Sequence, residues 1–288
     1  MRRATSTFIT LLTIAIATQS PVRAITGNFV KDFEHPFVGL AVFYDAHGAF
    51  SHRCSGSLLS PHVFLTAGHC VDGASSARVY FQQDAGAHYD PITEQDPITG
   101  YPDECFTQPC TTGRKLVSFG YPAGFPNTKD AGLVILDHAI SLPEYGVLAE
   151  AGALNVLATQ RGQQSLTFTD SGYGLSYTNP AATTSFRERL MVTTKLDNLT
   201  SANNDGFNVQ TSNSPGIGGG TCFGDSGGPL FYGGPKSNTI VGITSFGMSQ
   251  YTCAGTDFAY RTDQQAVIDW IRANAGREAQ DIAVVPLR

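Results

Sequence analysis

The 288-residue sequence has no basic cluster, no His beyond residue 138, and no long apolar run after its first two dozen residues. Each absence closes off a class of function. Eighteen Lys and Arg against 24 Asp and Glu leave a formal charge of −6, so the electrostatic footprint of a nucleic-acid binder is missing. No later segment can cross a bilayer as a helix, so no membrane partner is expected. Without a Cys-x-x-Cys pair or a His-Glu-x-x-His run, zinc chemistry is a poor reading. No metal or other cofactor is expected. Charged residues are scarce at 15% against 41% hydrophobic, which is the balance of a packed globule and not of a disordered chain.

What is present begins with Arg2-Arg3, an apolar run from Phe8 to Ala17, and Val22-Arg23-Ala24. These are the charged, apolar and small-residue regions of a secretory signal peptide. Residues 1–24 are therefore expected to be removed, with Ile25 as the mature N-terminus and secretion, extracellular or periplasmic, as the destination. Six Cys in an exported chain imply three disulfides among fifteen connectivities. Cys105 and Cys110 are near enough to close a small loop, Cys54 and Cys70 flank one strand pair, and Cys222 and Cys253 bracket a glycine-rich stretch.

Short β-rich runs punctuated by Gly and Pro predict an all-β sandwich or barrel and not βαβ units. In the first half they are centred on residues 37–44, 51–59, 63–67, 77–82, 115–119 and 133–136. A connector to about residue 163 follows, and six more runs then repeat the pattern up to Phe258-Ala259-Tyr260-Arg261. Residues 83–113 lose periodicity and collect Asp84, Asp90, Glu94, Asp96, Asp103 and Glu104. That stretch reads as a solvated acidic loop; calcium ligation is the alternative, without EF-hand spacing to support it. Apolar positions at helical spacing predict one helix over residues 263–275, capped by Asp263 and ended by Gly276. The tail, 277–288, reads either as an added strand or as a loose end.

The stretch Gly224-Asp225-Ser226-Gly227-Gly228-Pro229 suits a nucleophile on a tight turn, because glycines tolerate positive φ and leave backbone N–H groups uncovered. A nucleophile elbow needs a following helix and a later His. Neither is available, since Leu230-Phe231-Tyr232 reads as a strand and all seven His precede Ser226. That order opposes a serine esterase or lipase.

Thr66-Ala67-Gly68-His69-Cys70, Asp130-Ala131-Gly132-Leu133-Val134-Ile135-Leu136 and the Ser226 stretch together resemble the three catalytic signatures of the chymotrypsin-like serine proteases, in that family's order. The resemblance runs from Ile25 to the helix holding Trp270. It implies two six-stranded antiparallel Greek-key β-barrels, at about 25–145 and 160–262, within a protease domain of residues 25–276. It also implies a triad of Ser226, His69 and Asp130, with Asp137 as a competing acid, and an oxyanion hole from the N–H groups of Gly224 and Ser226. Ile25-Thr26-Gly27-Asn28 is similar to the family's mature start, Ile-Val-Gly-Gly, and implies pairing of the Ile25 amine with Asp225. Asp170-Ser171-Gly172-Tyr173-Gly174 and Ser245-Phe246-Gly247 resemble its Gly-Trp-Gly and Ser-Trp-Gly segments. Cys54 with Cys70 and Cys222 with Cys253 sit where the family places disulfides, and Cys105 with Cys110 is an extra pair.

Gly220 occupies the place where trypsin-like members carry an aspartate. The resemblance therefore implies an uncharged pocket near Gly220, Phe223, Ser245, Phe246, Gly247 and Phe258. Asp257 is the alternative source of a preference for basic side chains; otherwise it is an exposed turn residue. The expected activity is a secreted, monomeric endopeptidase acting on proteins or peptides. A binding protein of the same fold without catalysis is the rival.

Overall fold

The computed structural model describes residues 25–86, 105, 109–158, 165–179, 182–185, 187–214, 216–249 and 252–287. The expected signal segment and Asp90, Glu94, Asp96, Asp103 and Glu104 lie outside them.

In the first half Val38–Tyr44 is apolar along nearly its whole length because both of its faces are buried. It pairs antiparallel with Phe50–Ser60 and with Ser76–Tyr80. The sheet runs in the order Cys110–Gly113, Ser76–Tyr80, Val38–Tyr44, Phe50–Ser60, Val63–Thr66, Gly132–Ile135, Lys115–Ser118. Its first and last members are one segment bent at Arg114, so the sheet curls until a single stretch of chain supplies both edges. At that bend Gly113 is obligatory: a Cβ there would run into Val134 Cγ1 and reach Ile135 O at 3.0 Å. Leu40, Leu58, Phe64, Val79 and Leu133 fill the interior. Burying each such side chain contributes about 1.5–3 kcal/mol.

The second half closes completely. Pro229–Phe231 pairs with Thr167–Gly172 on one side and Thr239–Gly247 on the other. The circuit continues through Leu190–Asn198, Asn208–Asn213 and Gly255–Arg261, so these six strands present no free edge. Val147–Ala149 adds a parallel strand on the outside, and Val284–Val285 of the tail pairs with it. The tail thus extends the sheet. One apolar cluster joins Phe64 and Leu133 of the first half to Phe231, Ile243 and Tyr260 of the second. Arg189 ties the halves further, donating from the second barrel to the carbonyls of Asp32, Val38 and Phe81.

The C-terminal helix spans Gln265–Asn274 and buries Val267, Ile268 and Ile271. It starts two residues later than the sequence predicts, because Asp263 does not cap it. The Asp263 carboxylate instead accepts two bonds of 2.7 Å from the Arg261 guanidinium and one of 2.8 Å from Leu154 N. A buried carboxylate of this kind is more strongly held by a guanidinium than by helix-end amides. Gly276, at φ 61°, ends the α-helix, and a 3₁₀ turn, Gly276–Gln280, follows. Cys110–Gly113, read from sequence as the end of the acidic loop, is a strand.

Candidate active site

Strand pairing brings the first two signatures together. Thr66 lies opposite Gly132 in the pair Val63–Thr66 and Gly132–Ile135, which places the turn carrying His69 beside Asp130. Gly68 permits the approach, since a Cβ would meet Tyr121 Cβ at 2.7 Å. A disulfide from Cys70 to Cys54 ties the same turn to the neighbouring strand. The Asp130 carboxylate accepts from His69 N at 2.7 Å and faces His69 Nδ1 at 2.9 Å. The Ser245 hydroxyl donates to the same carboxylate. With Nδ1–H committed to a carboxylate, the neutral ring presents the Nε2 lone pair to the cleft. Asp137 is elsewhere, bonded to Thr112 Oγ1 at 2.7 Å and Arg114 Nε at 3.0 Å.

The third signature is a loop whose amides are sorted into two groups. Gly224 and Gly227 hold φ of 98° and 82°, left-handed conformations that favour glycine. The N–H groups of Asp225, Gly227 and Gly228 donate to Cys222 O, Thr244 O and Asp225 O at 2.7–3.0 Å. Among the described residues, the N–H groups of Gly224 and Ser226 meet no acceptor. Two N–H groups without an acceptor thus lie within two residues of the Ser226 side chain, and a developing oxyanion requires donors that are free in this way. Ser226 Oγ is not hydrogen-bonded to His69 among the described residues. The two line adjoining cavities of about 370 and 420 Å³ that share Ser245 and Phe246. Ser226 and His69 therefore face one cleft; contacts between catalytic groups are often long in the absence of substrate. Tyr121 and Phe125 line the His69 side.

Beneath the loop, Asp225 is fully buried and accepts from Gly174 N at 2.7 Å and Cys222 N at 2.9 Å. Burial pushes its carboxyl up to about 7, against those bonds and the nearby Arg53 charge. The expected Ile25 partner needs a free α-amino group. In the full-length chain Ile25 follows Ala24 through a peptide bond, and its side chain packs against Leu190 and Val192.

Of the two sequence expectations for the pocket, an uncharged wall or a contribution from Asp257, the geometry bears on the second. Asp257 is only 7% exposed and lines the 370 Å³ cavity with Ser226, Phe246, Gly247 and the Cys222–Cys253 disulfide. Its carboxylate accepts from Thr221 N (2.7 Å), Thr221 Oγ1 (2.9 Å) and Asn213 Nδ2 (2.9 Å). Gly220 makes room for it, because a Cβ at 220 would lie 2.6 Å from Asp257 Oδ2. Phe223 lines the mouth, half exposed. Phe258 does not line the cavity but stacks behind Phe246 at 4.6 Å. Thr221, Asn213 and Tyr121 carry no motif that singles them out in the sequence. Cys105 and Cys110 are joined beside the edge strand. Among the described residues the one candidate metal cluster is Cys54, His69 and Cys70, and it has no free thiol because its two sulfurs form a disulfide.

Residues 27–271 match the family model described as Trypsin. The chain is 28% identical over 261 residues to human chymotrypsin-like elastase family member 3B, covering 86% of this chain and 87% of that protein. It is 30% identical over 227 residues to brachyurin of Leptuca pugilator, covering 77% and 88%. Among solved structures, HL collagenase matches with a TM-score of 0.62 at 20% identity over 87% of this chain and 97% of that one. An inactivated protease paralogue of the scabies mite matches at 0.57 and 15% identity, over 86% and 98%. The fold is therefore shared with a protein described as inactivated.

Proposed function

The chain belongs to the trypsin family of serine proteases, and from that premise we propose that it is a secreted endopeptidase working through Ser226, His69 and Asp130. The observation that carries this reading is the conjunction of an Asp130-bound His69 with two unengaged amides at Gly224 and Ser226. Ser226 Oγ attacks the scissile carbonyl as its proton passes to His69 Nε2. The oxyanion accepts from the Gly224 and Ser226 N–H groups. The imidazolium, held by Asp130, then protonates the leaving amine, and water repeats the sequence on the acyl-enzyme. Cutting the Ala24–Ile25 bond supplies the α-ammonium that pairs with Asp225. It also frees Ile25 from φ 55°, a conformation that a β-branched residue adopts only under strain.

Asp257 sets the preference for the residue on the acyl side of the cleaved bond. A buried carboxylate in a cavity lined by no other charged side chain is best compensated by a cation. Lys or Arg in the substrate brings one, with its methylenes against Phe246 and the disulfide. Gly220 is then the complement of Asp257, leaving space for a carboxylate that arrives from another strand.

The test is labelling of the chain starting at Ile25 with a fluorophosphonate, beside Ser226→Ala, followed by a peptide-library cleavage profile. Labelling lost in the variant and cleavage after basic residues are expected. No labelling of the unaltered chain overturns the enzymatic reading in favour of a binding protein of this fold; labelling with no basic preference overturns only the role of Asp257.

A further inference from the structure

The N-terminal strand reaches the specificity pocket through side chains. Thr26–Gly27 pairs antiparallel with Gly219–Gly220, with Thr26 opposite Gly220, so the first residues after Ile25 lie directly behind the pocket. Thr26 Oγ1 donates to Asn213 Oδ1 at 2.7 Å. Asn213 Nδ2 in turn donates to Thr221 O at 2.8 Å and to Asp257 Oδ2 at 2.9 Å. Asn213 is fully buried, and Thr26 and Asp257 are each 7% exposed.

The orientation of the Asn213 amide is fixed by this set. A carbonyl and a carboxylate both require the NH₂ end, which leaves the oxygen end facing Thr26. The hydroxyl of Thr26 is the donor that satisfies it. Without that hydroxyl the amide oxygen is buried unpaired, and an amide held at one end only is free to tilt away from Asp257. Val, the usual family residue at this place, has the shape of Thr but no hydroxyl.

We infer that Thr26 and Asn213 are positioning residues for substrate specificity: a buried relay from the second residue of the mature chain, through Asn213, holds the Asp257 carboxylate where it meets a basic side chain. The inference rests on the role proposed above for Asp257. Seating of the N-terminal strand and recognition of a cationic substrate are thereby coupled, and each strengthens the other.

The experiment uses the chain starting at Ile25 and matched peptides differing only in Arg or Phe at the acyl-side residue. Thr26→Val is expected to lower the Arg-to-Phe ratio of kcat/KM by about 3- to 10-fold, with fluorophosphonate labelling unchanged. Thr26→Ser, which restores the hydroxyl, keeps the ratio. In a Ser226→Ala background, benzamidinium binding weakens by the same factor in Thr26→Val while indole binding does not, a readout independent of turnover. An unchanged ratio, or equal losses on both peptides, overturns the relay. Asp257→Asn separates the two levels. If it leaves the ratio unaltered, the reading of Asp257 falls and the relay with it; if it abolishes the preference for Arg while Thr26→Val does not, the relay alone falls.

Discussion

The two sides of the cleft treat their buried carboxylates in opposite ways. On the first side Asp130, 2% exposed, is met by His69 N, His69 Nδ1 and the Ser245 hydroxyl. All three partners are in place in the full-length chain. Inside the second barrel Asp170, Asp225 and Asp257 share one neighbourhood, and burial raises the pKa of each. Asp225 and Asp257 are held by neutral donors, while Asp170 Oδ2 has no hydrogen-bond partner among the described residues. Asp130 therefore has its partners already, one of them lent by Ser245 of the second barrel, whereas none of the hydrogen bonds to Asp225 and Asp257 comes from a cationic group. Desolvated carboxylates held by neutral dipoles retain affinity for a cation. Two cations are at hand in the proposed function: the α-ammonium released at Ile25 and the side chain of a basic substrate.

The comparison breaks most visibly at Asp130. Asp130→Asn keeps the shape but presents an amide to His69 Nδ1, so the ring loses both its preferred tautomer and its stabilised cation. The expected loss in kcat is roughly 10⁴-fold, with little change in the basic-to-apolar preference set by the other side. A loss of ten-fold or less would mean that the acid lies elsewhere.

A smaller effect concerns Asp225 and is read as stability. Its folded pKa, about 7 in the uncut chain against 3.8 for an ordinary exposed carboxyl, is raised, so the folded state holds the proton more tightly. Stability from this group is full below pH 3.8 and is lost as pH rises through about 7. Pairing with the Ile25 ammonium lowers that pKa and removes most of the loss. Urea unfolding in a Ser226→Ala background should therefore show the chain starting at Ile25 gaining on the full-length chain by a few kcal/mol between pH 4 and 8. Equal pH slopes would show that the ammonium does not reach Asp225.

These contrasts explain what was legible in the sequence. The short strands and the runs around His69, Asp130 and Ser226 could be read because each is local, with side-chain types and chain order visible together. The side on which Asp257 lies is not local. The pairing of Thr239–Gly247 with Gly255–Arg261 shifts register between Thr244 and Phe246, and a shift of one residue exchanges the inward and outward faces of a strand. No pattern in residues 239–261 announces that shift, so the sequence leaves Asp257 open between a pocket carboxylate and an exposed turn residue. The helix start failed for a related reason: the Arg261 guanidinium outcompeted the helix end for Asp263.

The smallest effect, and the sharpest on the second barrel, is at Asp170. It lies opposite Val192 in its strand pair, and Val192 packs with Ile25. Two residues along on the same face is Gly172, where a Cβ would run into Asp225 Oδ1. Asp170 thus looks into the compartment that holds both Asp225 and the Ile25 side chain. Burial first, then the charges of Asp257 and Asp225, hold its pKa well above the ordinary value of 3.8. The sign follows as for Asp225: the group costs nothing below pH 3.8 and costs progressively more as pH rises above it. Asp170→Asn, which keeps the volume and cannot ionise, is expected to stabilise the full-length chain at pH 8 by about 1–2 kcal/mol and to leave it unchanged near pH 3. The same substitution in the chain starting at Ile25 should gain less, because the incoming ammonium then offsets part of the cost. If Asn destabilises the full-length chain at pH 8, Asp170 already has a cationic partner there, and the contrast with Asp130 does not hold for it.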